Sequence, residues 1–214
     1  DLTGVQHIVE ALRAYTHEFT NKLHVILGLL QLGENKQAEE YVLRLTKTRA
    51  HSISYISERI QEPSVAALLI GKSYRAAELG IRFVLDPASE LRGDGQYLPA
   101  SSLITILGNL TENAFDALRS APENAQKEVT VSIREGEHGM LLSVDDSGAG
   151  MAAPQLDRIF ERGFSTKGEG RGTGLSLVKE TVDAFGGTIR VESEPGIGSS
   201  FIITFSDAES RAQT

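Results

Sequence analysis

The sequence predicts an α+β protein in two parts. The first part is a helical hairpin, and the second is a mixed layer domain of helices and strands. Two copies of the hairpin are expected to form a dimeric four-helix bundle. Apolar residues recur every three or four positions over residues 2–32 and again over 41–60. Two helices alone leave apolar faces uncovered, so we expect a homodimer through residues 1–61. From residue 64 onward, helical patterns are interspersed with strand patterns.

These patterns predict three segments: a dimerisation hairpin over 1–62, a layer domain over 63–208 and a polar tail over 209–214. Residues 33–36 should connect the hairpin helices, and Glu62-Pro63 should close the second one. In the layer domain we expect helices at 65–79, 102–118 and 175–185, and strands at 81–85, 128–134, 140–145, 188–193 and 199–205.

Composition excludes several classes of function. The 21 basic and 29 acidic residues give a net charge of −8, which argues against binding to nucleic-acid phosphates. Cysteine is absent, which excludes disulfides, thiolate metal sites and cysteine nucleophiles. The longest apolar run, Val65–Ile70, is far shorter than the ~20 residues of a membrane span. The chain begins at Asp1 without a visible signal peptide, so we expect a soluble piece of a longer protein.

A reactive histidine is indicated on the first helix. His17 lies roughly 140° from the centre of the apolar stripe, with Glu18 beside it and Asn21 one turn further along. An imidazole held away from the core, with a carboxylate and an amide nearby, is placed to react with an incoming group. The alternative is a solvated surface histidine, with Glu18 and Lys22 forming an ordinary ion pair.

Two polar motifs of the layer domain suit a nucleotide. Asn109 and Asn113 share one helix face, and two amide oxygens at this spacing can help to hold Mg²⁺ beside phosphates. After a strand, Asp146 is followed by Gly148 and Gly150, which let the backbone approach a flat ligand. The Asp146 carboxylate can accept a hydrogen bond from an amine such as adenine N6. The alternatives are a solvated polar stripe and a common Asp-Gly turn.

A glycine-rich loop over residues 168–174 leads directly into a helix. Its backbone N–H groups and the helix N-terminus favour anions, so the loop is a candidate phosphate site, the alternative being a flexible surface loop. The predicted phosphate-binding residues are Lys167, Arg171, Gly172, Thr173, Gly174 and Leu175.

The order of these motifs resembles the Bergerat ATP-binding fold shared by histidine kinases, gyrase-type ATPases and Hsp90. Residues 159–167 resemble the phenylalanine box of histidine kinases. Residues 17–24 resemble the phosphoacceptor box of sensor kinases for citrate and C4-dicarboxylates, whose dimerisation helices resemble the sporulation phosphotransferase type. The resemblance extends from Leu12 to Phe205.

The resemblance implies a Bergerat-type α/β sandwich and a sensor histidine kinase core. By this resemblance His17 takes the γ-phosphoryl group from Mg-ATP, with Glu18 as the base and Mg²⁺ on Asn113, and passes it to an Asp of a response regulator receiver domain. Asn21 is implied in dephosphorylation of the regulator. The chain is then the cytoplasmic portion of a bacterial inner-membrane protein, anchored only by segments absent from this sequence.

Two other functions stay open at this point. One is a Bergerat ATPase or an anti-sigma-like protein serine kinase, in which the hairpin is an interaction module. Gyrase-like ATPases have a catalytic Glu one turn before the metal-binding Asn, whereas here Asn109 occupies that place and Glu112 is adjacent to Asn113. The other is a binding-only adaptor, against which Asp146 and the glycine loop argue.

Overall fold

The structure, a computed structural model, describes residues 20–46, 51–93, 95–119, 126–156, 158–163 and 173–206. The chain divides into two compact units, Asp1–Ala50 and His51–Thr214. Each unit is built around its own helices, and the described strands belong to the second. Of the helices that the structure describes, none is both long and apolar enough to cross a membrane.

The first unit contains two described helices, α1 (residues 20–31) and α2 (Asn35–Thr46). The turn between them depends on Gly33, whose φ of 76° is accessible to glycine without strain. The Gly33 and Glu34 amides donate to the carbonyls of Leu30 and Leu29, which satisfies the C-terminal end of α1. The turn is therefore where the sequence predicts it, but Asn35 already lies in α2.

The second unit is formed around a five-stranded sheet in the order β1-β2-β3-β5-β4. β1 runs parallel to β2, and the other neighbours are antiparallel. Val131, Val144 and Phe201 lie in register across the three central strands, and all three are buried. The strands are β1 (Arg82–Leu85), β2 (Glu128–Gly136), β3 (Gly139–Asp146), β4 (Thr188–Glu194) and β5 (Gly198–Ser206).

Helices pack on this sheet and enclose one apolar core. The longest of them, α5, has an amphipathic sequence, and its buried face includes Leu107, Leu110 and Phe115. The Phe115 ring meets Phe83 of β1 edge to face, with centroids 6.4 Å apart. The helices of the unit are α3 (His51–Arg59), α4 (Pro63–Glu78), α5 (Ala100–Arg119), the short α6 (Ala153–Leu156) and α7 (Gly174–Ala184).

The connection between α3 and α4 is fixed to the layer domain. Ile60 is buried and forms a parallel bridge with Leu91. The Leu91 amide donates to the Arg59 carbonyl, and the Gln61 amide donates to the Leu91 carbonyl. Since α3 thereby belongs to the second unit, the division of the structure falls between residues 50 and 51, whereas the sequence pattern predicts a domain boundary after residue 62.

Glu62 and Pro63 have a role that the sequence pattern did not reveal. The Glu62 carboxylate accepts a hydrogen bond from the Val65 amide at 2.7 Å and caps α4, while Pro63 occupies its first turn. The pair therefore begins α4 instead of only ending the helix before it. The other predicted helices and strands of the layer domain are confirmed, with end positions shifted by at most two residues.

Substitution of Gly93 tests the fixed connection. Gly93 has φ 77°, and a Cβ there would lie 2.8 Å from Glu62 Cβ. Gly80 has φ 67°, and a Cβ there would have nothing within 4 Å, so Gly80→Ala carries only the backbone strain of about 1 kcal/mol. We expect Gly93→Ala to lower the free energy of unfolding by about 1–3 kcal/mol more than Gly80→Ala, measured by urea denaturation. Equal losses would mean that Glu62 and Gly93 are not held together in solution.

Candidate functional site

One face of α5 organises the candidate site. Three half-buried residues at four-residue intervals lie in a row on the surface of this helix: Asn109, Asn113 and Ala117. This row is called here the polar row. With a rise of about 1.5 Å per residue, this row is about 12 Å long. The opposite face of α5 is buried in the core. The sequence therefore gives this helix one apolar and one polar face, and the polar one is accessible to a ligand.

The loop after β3 lies against one end of the row. In this segment, called here the Asp146 loop (residues 146–151), Asp146 Oδ1 accepts a hydrogen bond from the Gly148 amide at 2.8 Å. A Cβ at Gly148 would come within 2.9 Å of Ala117 Cβ and 2.6 Å of Asp146 Oδ1. Only glycine allows the loop to approach α5 this closely, and the approach places Asp146 beside the polar row.

The start of α7 lies against the other end of the row. A Cβ at Gly174 would be 2.8 Å from Asn109 Oδ1. The Asn109 amide group itself donates to the Thr105 carbonyl at 2.7 Å, which fixes the orientation of the side chain. Asn109 therefore contacts the first residue of α7, and Asn113 lies between the two glycine contacts. Among the described residues, none is hydrogen-bonded to the Asn113 side chain, whose amide oxygen can serve as a ligand.

Within the described part of the chain, no side chain caps the N-terminus of α7. Thr173 is the N-cap residue, and its side chain makes no capping hydrogen bond. Its carbonyl instead accepts hydrogen bonds from the Ser176 hydroxyl and the Leu177 amide, both at 3.0 Å. The first amides of a helix have no partner within the helix, and together with the helix dipole they attract phosphate.

A cavity of about 410 Å³ on the other side of Asp146 does not suit phosphates. It is bounded by Asp145, Glu192 and Glu194 in addition to Asp146. Carboxylates at this density repel a polyphosphate. An anionic group is therefore better accommodated at the α7 end of the row than in this cavity.

The structure does not reach every predicted site residue. His17, Glu18, Lys167, Arg171 and Gly172 lie outside the described residues. Asn21 lies on α1 and is exposed. The described residues thus bring together the predicted Asn109, Asn113, Asp146, Gly148, Thr173, Gly174 and Leu175, while Gly150 lies further along the Asp146 loop.

Glu112, the carboxylate adjacent to Asn113, forms an ion pair with another helix. Its carboxylate lies 2.5 Å from the ammonium group of Lys72 on α4. Only 14% of the Lys72 side chain is exposed, so the pair is partly shielded from water. This ion pair directs Glu112 toward α4, and a water-activating carboxylate one turn before Asn113 is absent because Asn109 occupies that place.

Part of the site depends on residues that sequence reasoning missed. The sequence pattern of residues 194–198 predicts only a hairpin turn, called here the β4–β5 turn. In the structure this turn also contacts the Asp146 loop, because the Gly196 amide donates a hydrogen bond to the Ala149 carbonyl at 2.7 Å. Ser193 accepts a hydrogen bond from the Met151 amide at 2.8 Å. Glycines at positions 196 and 198 are a signal for close approach of another backbone segment. The segment that approaches them, the Asp146 loop, is far away in the sequence and could not be identified from this signal.

The comparisons with known proteins identify the family. Residues 99–209, just over half of the chain, match the model described as histidine kinase-, DNA gyrase B-, and HSP90-like ATPase. The chain belongs to this ATPase family. Residues 2–58 match the alpha-helical domain of the SpoOB-type sensor kinases. An ATP-binding domain preceded by sensor-kinase helices is thereby confirmed.

Individual relatives agree with this assignment. The sensor histidine kinase DcuS of Escherichia coli (strain K12) is 44% identical over 203 residues, which make up 94% of this chain and 37% of that protein. The sensor protein CitS of Halalkalibacterium halodurans is 41% identical over 213 residues, covering 99% of this chain and 39% of that protein. The chain thus spans less than two fifths of the length of these relatives.

Solved structures support the fold. The mycobacterial sensor histidine kinase MprB aligns with a TM-score of 0.52 and 23% identity, covering 67% of this chain and 92% of that one. Full-length ShkA in complex with AMPPNP aligns with a TM-score of 0.55 and 26% identity, covering 93% of this chain and 46% of that one. The predicted α+β class and the sensor histidine kinase family are confirmed, and none of these relatives and structural neighbours is named as a serine kinase or an adaptor.

Replacement of Asp146 tests where the base of the nucleotide binds. Asp146→Asn substitutes a poorer acceptor that also carries a donor, so we expect ATP affinity to fall at least about tenfold in calorimetric titration. Asp145→Asn is the matched control, because strand alternation places Asp145 on the opposite face of β3, where Ser143 donates to it at 3.0 Å. Wild-type protein should also prefer ATP to GTP. Equal affinities of both variants for ATP would remove Asp146 from the base-binding site.

Proposed function

We propose that the chain is the dimerisation and catalytic core of a sensor histidine kinase. It transfers the γ-phosphoryl group of Mg-ATP to His17 and then to an Asp of a response regulator receiver domain. The observation that carries this proposal is the polar row of α5, which has a glycine contact at each end and an amide oxygen at Asn113 between them. The match of residues 2–58 to sensor-kinase helices supports the role of His17.

The nucleotide is recognised at both ends of the row. The Asp146 carboxylate accepts a hydrogen bond from the adenine amine, an interaction that guanine does not offer at the same place. The backbone at Gly148 and Gly150 lies close to the base. At the other end, the amides of Thr173, Gly174 and Leu175 bind phosphate oxygens, and Lys167, Arg171 and Gly172 complete the phosphate site from the glycine-rich loop.

Mg²⁺ fits the middle of the row. The Asn113 side chain supplies a hard oxygen ligand of the kind that Mg²⁺ uses alongside substrate phosphates, and Asn109 is its polar neighbour one turn away. When bound, Mg²⁺ neutralises the charge that develops on the phosphate oxygens during transfer. Asn113 holds the ion, and Asn109 holds the start of α7, where the phosphates bind.

The phosphoryl transfer itself is carried out by His17. A histidine with an ordinary pKa near ~6.5 is mostly neutral at cellular pH, so one ring nitrogen has a lone pair with which to attack. The bond from this nitrogen to the γ-phosphorus forms while the bond between that phosphorus and the bridging oxygen of the leaving ADP breaks. Glu18 accepts the proton from the other ring nitrogen, which prevents a positive charge from accumulating on the ring.

The first unit supplies the dimer interface and the regulator surface. Three leucines of α1 are about half exposed: Leu23 at 48%, Leu27 at 52% and Leu30 at 49%. Exposure of these apolar side chains to water is unfavourable in a single chain, and packing against a second copy would bury them. Asn21 lies exposed on the same helix, where its amide can orient a water toward the aspartyl phosphate of a docked regulator. The name of one relative, a probable C4-dicarboxylate sensor kinase of Bacillus subtilis, supports a C4-dicarboxylate signal for the longer protein. The chain is then the cytoplasmic portion of an inner-membrane sensor.

The phosphoacceptor is tested by labelling with γ-labelled ATP and Mg²⁺. His17→Gln should abolish covalent labelling while ATP affinity stays within about twofold, because the nucleotide site is built from other residues. The label on wild-type protein should be acid-labile and base-stable, as phosphohistidine is. His24→Gln, which changes an exposed histidine on α1, serves as the control and should label normally. Persistent labelling of His17→Gln, or an acid-stable label, would contradict the proposal in favour of a serine kinase.

The roles of Glu18 and Asn21 are separated by two assays. Glu18→Gln should slow autophosphorylation by a factor of about 10²–10⁴, the usual contribution of a positioned base. Asn21→Ala should leave autophosphorylation within about twofold but remove most of the phosphatase activity toward phosphorylated regulator, followed in the presence of ADP. If Glu18→Gln autophosphorylates at the wild-type rate, Glu18 is only an ion-pair partner. If Asn21→Ala dephosphorylates the regulator normally, Asn21 is only a surface residue.

A further inference from the structure

We infer that Ser193 of β4 is a positioning residue for nucleotide selection, because it holds the Asp146 loop in the conformation that presents Asp146 to the base. The inference rests on the proposed function, since it concerns how the same site selects ATP. Ser193 lies outside the motifs that the sequence pattern identifies, and on a different strand from Asp146.

The hydroxyl group of Ser193 connects three parts of the second unit. It accepts a hydrogen bond from the Met151 amide at 2.8 Å, at the end of the Asp146 loop. It donates to the Gly198 carbonyl at 2.9 Å and lies 3.0 Å from the Ser199 hydroxyl. A serine hydroxyl has one donor and two acceptor positions, and this arrangement uses all three when Ser199 is the donor. Ser193 therefore ties the Asp146 loop to the β4–β5 turn.

Steric contacts hold the same two segments together. Gly150 has φ 64°, and a Cβ there would overlap the carbonyl oxygen of Glu194. Gly198 has φ 145°, and a Cβ there would overlap the carbonyl oxygen of Asp146 itself. Between these contacts, the Gly196 amide donates to the Ala149 carbonyl at 2.7 Å. These contacts hold the loop against the turn at three points, and a shift of the loop at Ala149 breaks its hydrogen bond to the turn.

This arrangement explains how the Asp146 carboxylate is kept in place. Within the loop, this carboxylate accepts the hydrogen bond from the Gly148 amide, two residues along the chain. A local turn of this kind is easily rearranged unless its far end is fixed, and Ser193 fixes that end at Met151. Loss of the Ser193 hydroxyl leaves the Met151 amide without its acceptor, which favours other loop conformations. Those conformations present Asp146 less well to adenine.

The test compares Ser193→Ala with two other variants of the full chain. Ser193→Thr retains the hydroxyl and should restore wild-type behaviour. Thr188→Val is the matched control, because it removes a hydroxyl bond at the other end of β4, where Thr188 and Thr204 lie 2.7 Å apart. We expect Ser193→Ala to weaken ATP binding about five- to tenfold, in line with the loss of one hydrogen bond, and to lower the ratio of GTP to ATP dissociation constants. Thr188→Val should change neither quantity.

A second measurement reports on the loop without nucleotide. Hydrogen exchange of the Met151 and Gly148 amides should be faster in Ser193→Ala than in wild type, whereas Thr188→Val should not affect these amides. If wild-type protein binds ATP and Ser193→Ala binds it with the same affinity and selectivity, the inference is overturned and the proposed function stands. If wild-type protein does not bind ATP, the proposed function fails and the inference fails with it.

Discussion

The site depends on two close contacts between glycines and α5. Gly148 lies against Ala117 at one end of the polar row, and Gly174 lies against Asn109 at the other. Neither position has room for a Cβ, so the distance of each loop from the helix is set by the absence of a side chain. These contacts bring the end of β3 and the beginning of α7 to the same helix face. The residues that would bind the base, the metal ion and the phosphates are thereby placed within about 12 Å along one helix.

The rigidity of α5 comes from its other face. Leu107, Leu110, Phe115 and Leu118 are no more than 1% exposed and pack in the core of the sheet domain. Burial of such side chains contributes about 1.5–3 kcal/mol each, so the helix is held firmly even though one of its faces is polar. The Lys72–Glu112 ion pair adds a link to α4 and keeps the Glu112 carboxylate engaged. One helix therefore supports the fold with its apolar face and presents its polar face as the proposed nucleotide site.

Local patterns predicted most of the fold and the local parts of the site. The helix periodicity of residues 102–118 and the alternation in residues 128–145 are properties of neighbouring residues, and the structure has α5, β2 and β3 there. Asp146, Gly148 and Asn113 were identified because each lies in a short motif. The bridge between Ile60 and Leu91 and the hydrogen bond between Ser193 and Met151 could not be predicted in this way, since they join segments that are far apart in sequence. The start of α4 was missed for another reason: Glu62-Pro63 can end one helix or begin the next, and only the cap geometry decides.

The central claim is that ATP binds along the polar row of α5, and nuclear magnetic resonance of the whole chain tests it most directly. Amide chemical shifts of ¹⁵N-labelled protein would be recorded during titration with a non-hydrolysable ATP analogue and Mg²⁺. We expect the largest changes at Ala117 and Gly148, at Gly174 and Leu175, and at the side-chain amide of Asn113. The Asn113 change should require Mg²⁺, because this residue is the proposed ligand of the ion. Changes confined to the acidic cavity at Glu192 and Glu194, with none on α5, would contradict the account.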